Sequence, residues 1–314
     1  MGMKIVYAGT PEFAVAPLRA LKEHGFEVVG VITQPDKPQG RKNILTPPPV
    51  KVAAEGLGLP VFQPEKIKEF LPVLLSLGAD VLVTCAYGQI LSQAVLDVFP
   101  KGVWNIHAGL LPEYRGASPI QSCLLAGETQ TGVCIMKTEL GLDCGDILLE
   151  RRLDILPDET YGELSERLSA LSAIAVLDGL NAVKSGDYTL TKQRADGVNV
   201  VKKIGKEHAL ITFSSTAKEI VDLVRAFHPA PVAYATLDGV KINVYRAQIG
   251  EMREEYLTAA EGEIVCDSPK TGLFVRCRDG VVKLTEVQPA GGKKMDAAAF
   301  LNGRKAKKGQ VFTW

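Results

Sequence analysis

Metal-ligating and disulfide-forming residues are scarce in this chain of 314 residues: it has four histidines, far apart, and six cysteines with no C-x-x-C pair among them. Structural metal sites need such ligands clustered in pattern, so no metal is expected. Cysteines inside apolar runs, as in VLVTCAYG and TGVCIM, read as small hydrophobes rather than halves of a disulfide framework, which suits a cytoplasmic protein. No uninterrupted apolar stretch approaches the roughly 18 residues of a membrane-crossing helix, so no membrane partner is expected. MGMKIVYAGT enters a strand with no charged-then-apolar leader, so no export signal is expected. The first strand closes in AGTPEF rather than G-x-G-x-x-G, which argues against a dinucleotide site. A G-x-S-x-G elbow is missing too, and with it the usual setting of a serine nucleophile.

Net charge is also absent, with 36 Lys+Arg against 36 Asp+Glu. The balance hides an asymmetry. Residues 1–190 hold 16 basic and 22 acidic side chains, and residues 191–314 hold 20 and 14, so a front of −6 is joined to a back of +6. A basic half suits a polyanionic partner.

What is present is an alternation of strand and helix. KIVYAGT, EVVGVIT, ADVLVTCAYG and GVWNIHAG read as buried strands, and PEFAVAPLRALKEHG as a helix opened by Pro11 and closed by Gly25. SQAVLDVF reads as helical, TGVCIMKTE and DILLERRLDI as further strands, and residues 160–186 as one long amphipathic helix. Val-, Ile- and Leu-rich strands separated by helices imply an α/β, Rossmann-like, mostly parallel sheet with helices on both faces. The basic, glycine-containing stretch 191–206 reads as a linker between a domain at 1–190 and a second at 207–314. In the second, short strands with Asp-Gly turns at LDGVKI and RDGVVK, and helices at 216–227 and 296–303, suggest a small β-barrel, OB-like.

In α/β sheets ligands bind beyond the carboxyl ends of the strands. GVWNIHAG delivers Asn105 and His107 to such an end, and the i, i+2 spacing puts both on one face of the strand. Asp143 lies further on in GLDCGD. An amide can donate to a developing oxyanion, an imidazole can move a proton near neutral pH, and a carboxylate can orient that imidazole. The trio suits direct attack by an external amine or water rather than a covalent intermediate.

GTPEF, TQPDKPQGRK, AYGQIL, NIHAGLLPEYRGASPIQ, TGVCIM, GLDCGDIL and VQPAGGKKM…FLNG follow one another in the order seen in the methionyl-tRNA formyltransferase family, and the chain resembles that family over nearly its whole length. The Asn-x-His core and the GLDxGD segment are common to all 10-formyltetrahydrofolate-dependent transferases. The proline-rich loop and the QPAGxKxM tail are selective for the tRNA enzymes. The resemblance implies transfer of a formyl group from 10-formyltetrahydrofolate to the α-amine of methionine on initiator tRNA, as a monomer and without a metal. It carries Asn105, His107 and Asp143 over as the catalytic trio, with Asp143 holding His107 charged. It makes Gly109, Leu110, Leu111 and Pro112, with Ala86, Tyr87, Gly88, Gln89, Ile90 and Leu91, the walls of the folate pocket. It assigns tRNA contact to Lys37, Arg41 and Lys42 in the proline-rich loop; the basic stretch and tail add Lys202, Lys203, Lys206, Lys293 and Lys294. The chain departs from the family pattern at three places: Gly109 stands where Ser is usual, Asn43 and Ile44 where lysines are frequent, and Ile211-Thr212-Phe213 where Ile-Asp-Trp is usual.

Two other readings stay open on the residues alone. The same folate chemistry could serve a small amine, such as a nucleotide sugar or glycinamide ribonucleotide, or water. An RNA-binding module with a vestigial front domain is the third, against which the intact trio argues.

Overall fold

The computed structural model of the chain describes residues 2–40, 42–303 and 306–314. It divides into two compact units, the first comprising residues 1–119, 130–154 and 165–201, the second residues 120–129, 155–164 and 202–314.

A seven-stranded sheet is the core of the first unit. Across the sheet the strands run Ile147–Asp154, Gln130–Lys137, Val103–His107, Val81–Cys85, Lys4–Gly9, Glu27–Ile32 and Val61–Phe62. The last five are parallel, and the first two add an antiparallel edge next to the Val103–His107 strand. Lys4–Gly9 and Val81–Cys85 are buried along almost their whole length, as a sheet covered on both faces requires. The chain starts at the centre, builds outward through Glu27–Ile32, then returns to pair Val81–Cys85 on the other side of Lys4–Gly9. In sheets of this kind ligands bind beyond the carboxyl ends of the strands where the order reverses.

Local chemistry sets where the elements stop. The helix expected over 11–25 is divided into a 3-10 turn, Glu12–Ala14, and an α-helix, Val15–Glu23; Pro11 at the cap has no side chain to bond the free N–H groups. Gly25 ends it at φ 77°. The strand expected over 79–88 ends at Cys85, because Ala86 turns to φ 47°. Only Gln93–Leu96 of the SQAVLDVF stretch is α-helical. The helix Tyr161–Ser185 is long and apolar enough, by length and composition alone, to cross a membrane. Leu168, Ala175, Val176, Leu180 and Val183 are nonetheless buried in protein, and Gly179 lies against Ile135, Leu148 and Leu149 of the antiparallel edge.

The second unit is built on an antiparallel sheet ordered Ile264–Ser268, Gly272–Arg276, Val281–Pro289, Val240–Ile249, Ala233–Leu237 and Phe312–Thr313, with Met295–Asp296 also paired to Val281–Pro289. The sheet curls until its ends meet: the Ile264 N–H donates to Gln310 O and the Phe312 N–H to Gly262 O, both at 2.8 Å. This is the curled, barrel-like sheet expected of the back half. Phe213, Phe227, Phe300 and Phe312 fill its core. Phe213, at one of the departures from the family pattern, packs tilted against Phe312 at 5.4 Å and edge-on to Trp314 at 5.9 Å between ring centroids. Of the two Asp-Gly turns, Asp238-Gly239 is the tight hairpin expected, with both residues at positive φ. Asp279-Gly280 instead sits in a four-residue loop, where Asp279 Oδ1 accepts the Ala217 N–H at 2.8 Å at the start of the Ala217–Ala226 helix.

Candidate active site

Asn105 and His107 share one face at the carboxyl end of the Val103–His107 strand, and the intervening Ile106 is buried on the other. Gly102, at φ 87°, lets the chain turn into this strand, and antiparallel pairing of Asn105 with Met136 and of His107 with Cys134 sets its register. Trp104 is 1% exposed, donates to Lys101 O at 3.0 Å and meets Tyr188 edge-on, all of which make it a packing residue.

The Thr84 hydroxyl donates to Asn105 Oδ1 at 2.8 Å. With its oxygen so occupied, Asn105 presents its amide nitrogen as a donor. His107 is 4% exposed, and its Nε2–H donates to Tyr114 O at 3.0 Å, which fixes the tautomer. Nδ1 is then unprotonated and faces Asp143 Oδ2 at 3.7 Å. Burial holds the imidazole's pKa below its ordinary 6.5; Asp143 and the Tyr114 carbonyl act the other way, and Arg115 reinforces the burial. His107 therefore rests neutral at pH 7, rather than charged as an ion pair with Asp143 would make it. A proton arriving at Nδ1 would sit between ring and carboxylate, where Asp143 stabilises it.

Asp143 is delivered by the loop between Gln130–Lys137 and Ile147–Asp154. It adopts φ 46°, and its Oδ2 also accepts the Gly116 N–H at 2.8 Å. Gly145 closes the loop where a Cβ would lie 1.8 Å from Lys137 O, so only glycine fits. The structure thus brings Asn105, His107 and Asp143 together, within one unit.

The segments expected to wall a folate pocket leave the neighbouring strand ends. Leu111 is buried with Cys134 and Met136, and a Cβ on Gly109 would lie 3.2 Å from His107 Nε2, so the backbone of 109–112 passes directly beside the imidazole. In the second wall, Tyr87 turns its ring into the core, where burial pushes its phenol up to about 12, and its carbonyl accepts from Thr10 Oγ1 at 2.9 Å. The Gln89 amide is bonded to backbone at Pro64, Glu65 and Ile67. Ala86, Gly88 and Ile90, the last 95% exposed, are the exposed residues of this segment. A separate hollow of about 450 Å³, bordered by Val15, Arg19, Pro49, Ala53 and Leu57, contains none of the trio.

Lys37 and Lys42 are exposed around a short hairpin, Lys37–Gln39 with Ile44–Thr46, and Arg41 lies outside the described residues. Asp36 anchors the base of this loop, bonded to Gln63 Nε2 at 2.7 Å and to Lys51 Nζ at 2.9 Å, and both partners lower its pKa. Lys202, Lys203, Lys206, Lys293 and Lys294 are exposed in the second unit. Lys294 is paired with Glu286 at 2.9 Å and stands 4.7 Å over the Tyr245 ring.

Sequence reasoning missed Thr84, Tyr114, Arg115, Gln193 and Asn199. Thr84 is on the strand next to Asn105, and a register of Thr84 opposite Asn105 was the signal that pairing of the two strands would have revealed. Gln193 and Asn199 lie in the 191–206 stretch. Val200–Val201 of that stretch forms a parallel ladder on Arg115–Gly116. Gln193 bonds both Arg115 and the Asp143 loop.

The formyl transferase family profile matches residues 3–180, and the profile of the formyl transferase C-terminal domain matches residues 203–305. The chain belongs to the formyl transferase family. It is 45% identical to the methionyl-tRNA formyltransferase of Neisseria meningitidis serogroup C (strain 053442), over 98% of this chain and 100% of that one. To the methionyl-tRNA formyltransferase of Xanthomonas oryzae pv. oryzae (strain PXO99A) it is 44% identical, over 96% and 98%. Among solved structures, the N-formyltransferase of Helicobacter canadensis in complex with folinic acid and dTDP-3-aminofucose shares the fold at TM-score 0.69 and 17% identity, over 90% of this chain and 98% of that one. HypX of Aquifex aeolicus in complex with tetrahydrofolic acid shares it at TM-score 0.63 and 17% identity, over 100% of this chain and 51% of that one.

Proposed function

We propose that this chain transfers the formyl group of 10-formyltetrahydrofolate to the α-amine of methionine on initiator methionyl-tRNA. The chemistry is carried by one observation: Thr84 occupies Asn105 Oδ1, so the amide nitrogen is left to donate beside the buried His107 that Asp143 faces. The acceptor is supported by 45% identity to a methionyl-tRNA formyltransferase across 98% of the chain, the C-terminal region included. The donor class is supported by the folates bound in the H. canadensis and A. aeolicus structures.

In this reading the amine attacks the formyl carbonyl directly. Asn105 Nδ2 donates to the oxyanion of the tetrahedral intermediate, an interaction strengthened as the charge develops. His107 accepts the amine's proton at Nδ1, and Asp143, 3.7 Å away, stabilises the imidazolium that results. Return of that proton to the departing folate nitrogen completes the transfer. The backbone of Gly109, Leu110, Leu111 and Pro112 and the exposed edge at Ala86, Gly88 and Ile90 hold the pterin, whose ring edge carries donors and acceptors that irregular backbone can match. Residues 207–314 and the cations at 202, 203, 206, 293 and 294 bind the tRNA backbone, and Lys37, Arg41 and Lys42 are further phosphate contacts.

The test is formyl transfer from 10-formyltetrahydrofolate to charged initiator methionyl-tRNA, with charged elongator methionyl-tRNA as control. Formylation of the initiator alone supports both reaction and acceptor. Donor turnover with water or a sugar amine, and none with either tRNA, would keep the trio and overturn the acceptor.

A further inference from the structure

We infer that Gln193 is a positioning residue for formyl transfer: its one side-chain amide ties the Asp143 loop to Arg115, and the segment around it straps the groups that face His107. The inference rests on the reaction proposed above. Gln193 Nε2 donates to Asp143 O at 2.8 Å and to Gly145 O at 2.7 Å. Its Oε1 accepts from Arg115 Nε at 3.0 Å and from Arg115 Nη2 at 2.7 Å. Both donors and both lone pairs of the amide are thus engaged. Glutamate could keep the arginine but has no proton to donate to two carbonyls. Lysine could serve the carbonyls but not the arginine.

The rest of the segment converges on the same histidine. At its start, the Thr191 and Ile147 backbones exchange hydrogen bonds of 2.8 and 2.9 Å. At its end, Asn199 Oδ1 accepts the N–H of Tyr114, the residue whose carbonyl accepts the hydrogen bond from His107 Nε2–H. Val201 O accepts the Ala117 N–H at 3.0 Å, which seats Gly116 so that its own N–H reaches Asp143 Oδ2. Gly116 is needed there, since at φ 110° a Cβ would lie 2.4 Å from Val201 O. Tyr114 faces one ring nitrogen of His107 and Asp143 the other, and the strap holds both.

A misplacement of about 1 Å in a reacting geometry costs on the order of 100-fold. Gln193→Met keeps the length of the side chain and removes all four bonds. It is expected to lower kcat by about 10- to 100-fold, with KM for folate and for tRNA within about threefold; the melting temperature falls by a few degrees as four partners are lost, and kcat is read on the folded variant. Gln193→Glu, which retains a partner for Arg115, is expected to lose kcat to a similar extent and carries the test if the methionine variant fails to fold. A kcat within about threefold of wild type in either folded variant, or a loss confined to KM, overturns the inference. If the wild-type chain turns over the donor only with a different acceptor, the acceptor proposed above fails, and the same kcat comparison is made on the acceptor it does use.

Discussion

His107 is 4% exposed with each ring nitrogen facing a fixed oxygen, while Lys203 and Lys206 are exposed and make no ion pair among the described residues. The first region consists of polar groups taken out of water, so each had to be given a partner to avoid a desolvation cost of about 1–3 kcal/mol. The second consists of cations left in water, where no partner is required and none dictates geometry. Position is what the strand-end site supplies, and charge is what the cationic surface supplies. Substitutions in the two regions should therefore fail in different ways: the first in rate, the second in salt-dependent affinity.

The largest effect is expected at Asn105. Asn105→Ala removes the donor proposed for the oxyanion while Thr84 keeps its hydroxyl, and kcat/KM should fall about 100- to 1,000-fold, the loss typical of one oxyanion donor. Retention of activity within about threefold of wild type in the formyl-transfer assay would refute the role. Asp143→Asn comes next, with a loss of about 100-fold in kcat. Asparagine can still accept the Gly116 N–H, so the loop keeps an anchor and only the charge beside His107 is lost.

The same variant has a signature in pH. Burial lowers the His107 pKa from 6.5, so the ring is neutral at pH 7 and wild-type kcat/KM should hold steady there, falling only as acid protonates the ring through that lowered value. Asp143 acts against burial and raises the pKa. Without it the ring protonates at lower pH still, so the acid limb of Asp143→Asn should move toward acid. An acid limb that stayed put or moved toward neutral would mean that Asp143 does not act through His107.

Much of this contrast was legible in the sequence because periodicity and spacing are local. Asn105 and His107 share a face by the two-residue repeat of a strand, and the Val-rich runs announce a parallel sheet. Asp143 is conspicuous because it stands between two glycines, Gly141 at φ 122° and Gly145 close against Lys137 O. What was not legible depends on pairing between distant segments. Nothing near Thr84 says that it lies opposite Asn105, and nothing in TKQRADGVNVVKKIGK says that its glutamine reaches Asp143, 50 residues away. The charge state of His107 is not legible from sequence for the same reason: a carboxylate neighbour can be guessed from motif, but the burial that lowers the ring's pKa is a property of the assembled core.

The smallest effect on rate, and the sharpest test of the contrast, is expected from Lys202, Lys203 and Lys206 together. They lie within five residues of one another and are exposed, so replacing all three with alanine removes charge without unpacking a core. Lys202 begins the second unit directly after Val201, the strap residue whose carbonyl holds Ala117. If the two regions do separate jobs, saturating tRNA should restore kcat to within about twofold of wild type. Affinity for the tRNA should fall, and the slope of log affinity against log salt should become shallower by roughly one for each phosphate that no longer meets a lysine. Binding titrations at several salt concentrations, run beside single-turnover formylation, measure both. A triple variant with an unchanged salt slope would remove these lysines from the tRNA surface. One whose kcat stayed low at saturation would show that charge on the back half feeds through the strap into the position of Asp143, and the division between the two regions would have to be given up.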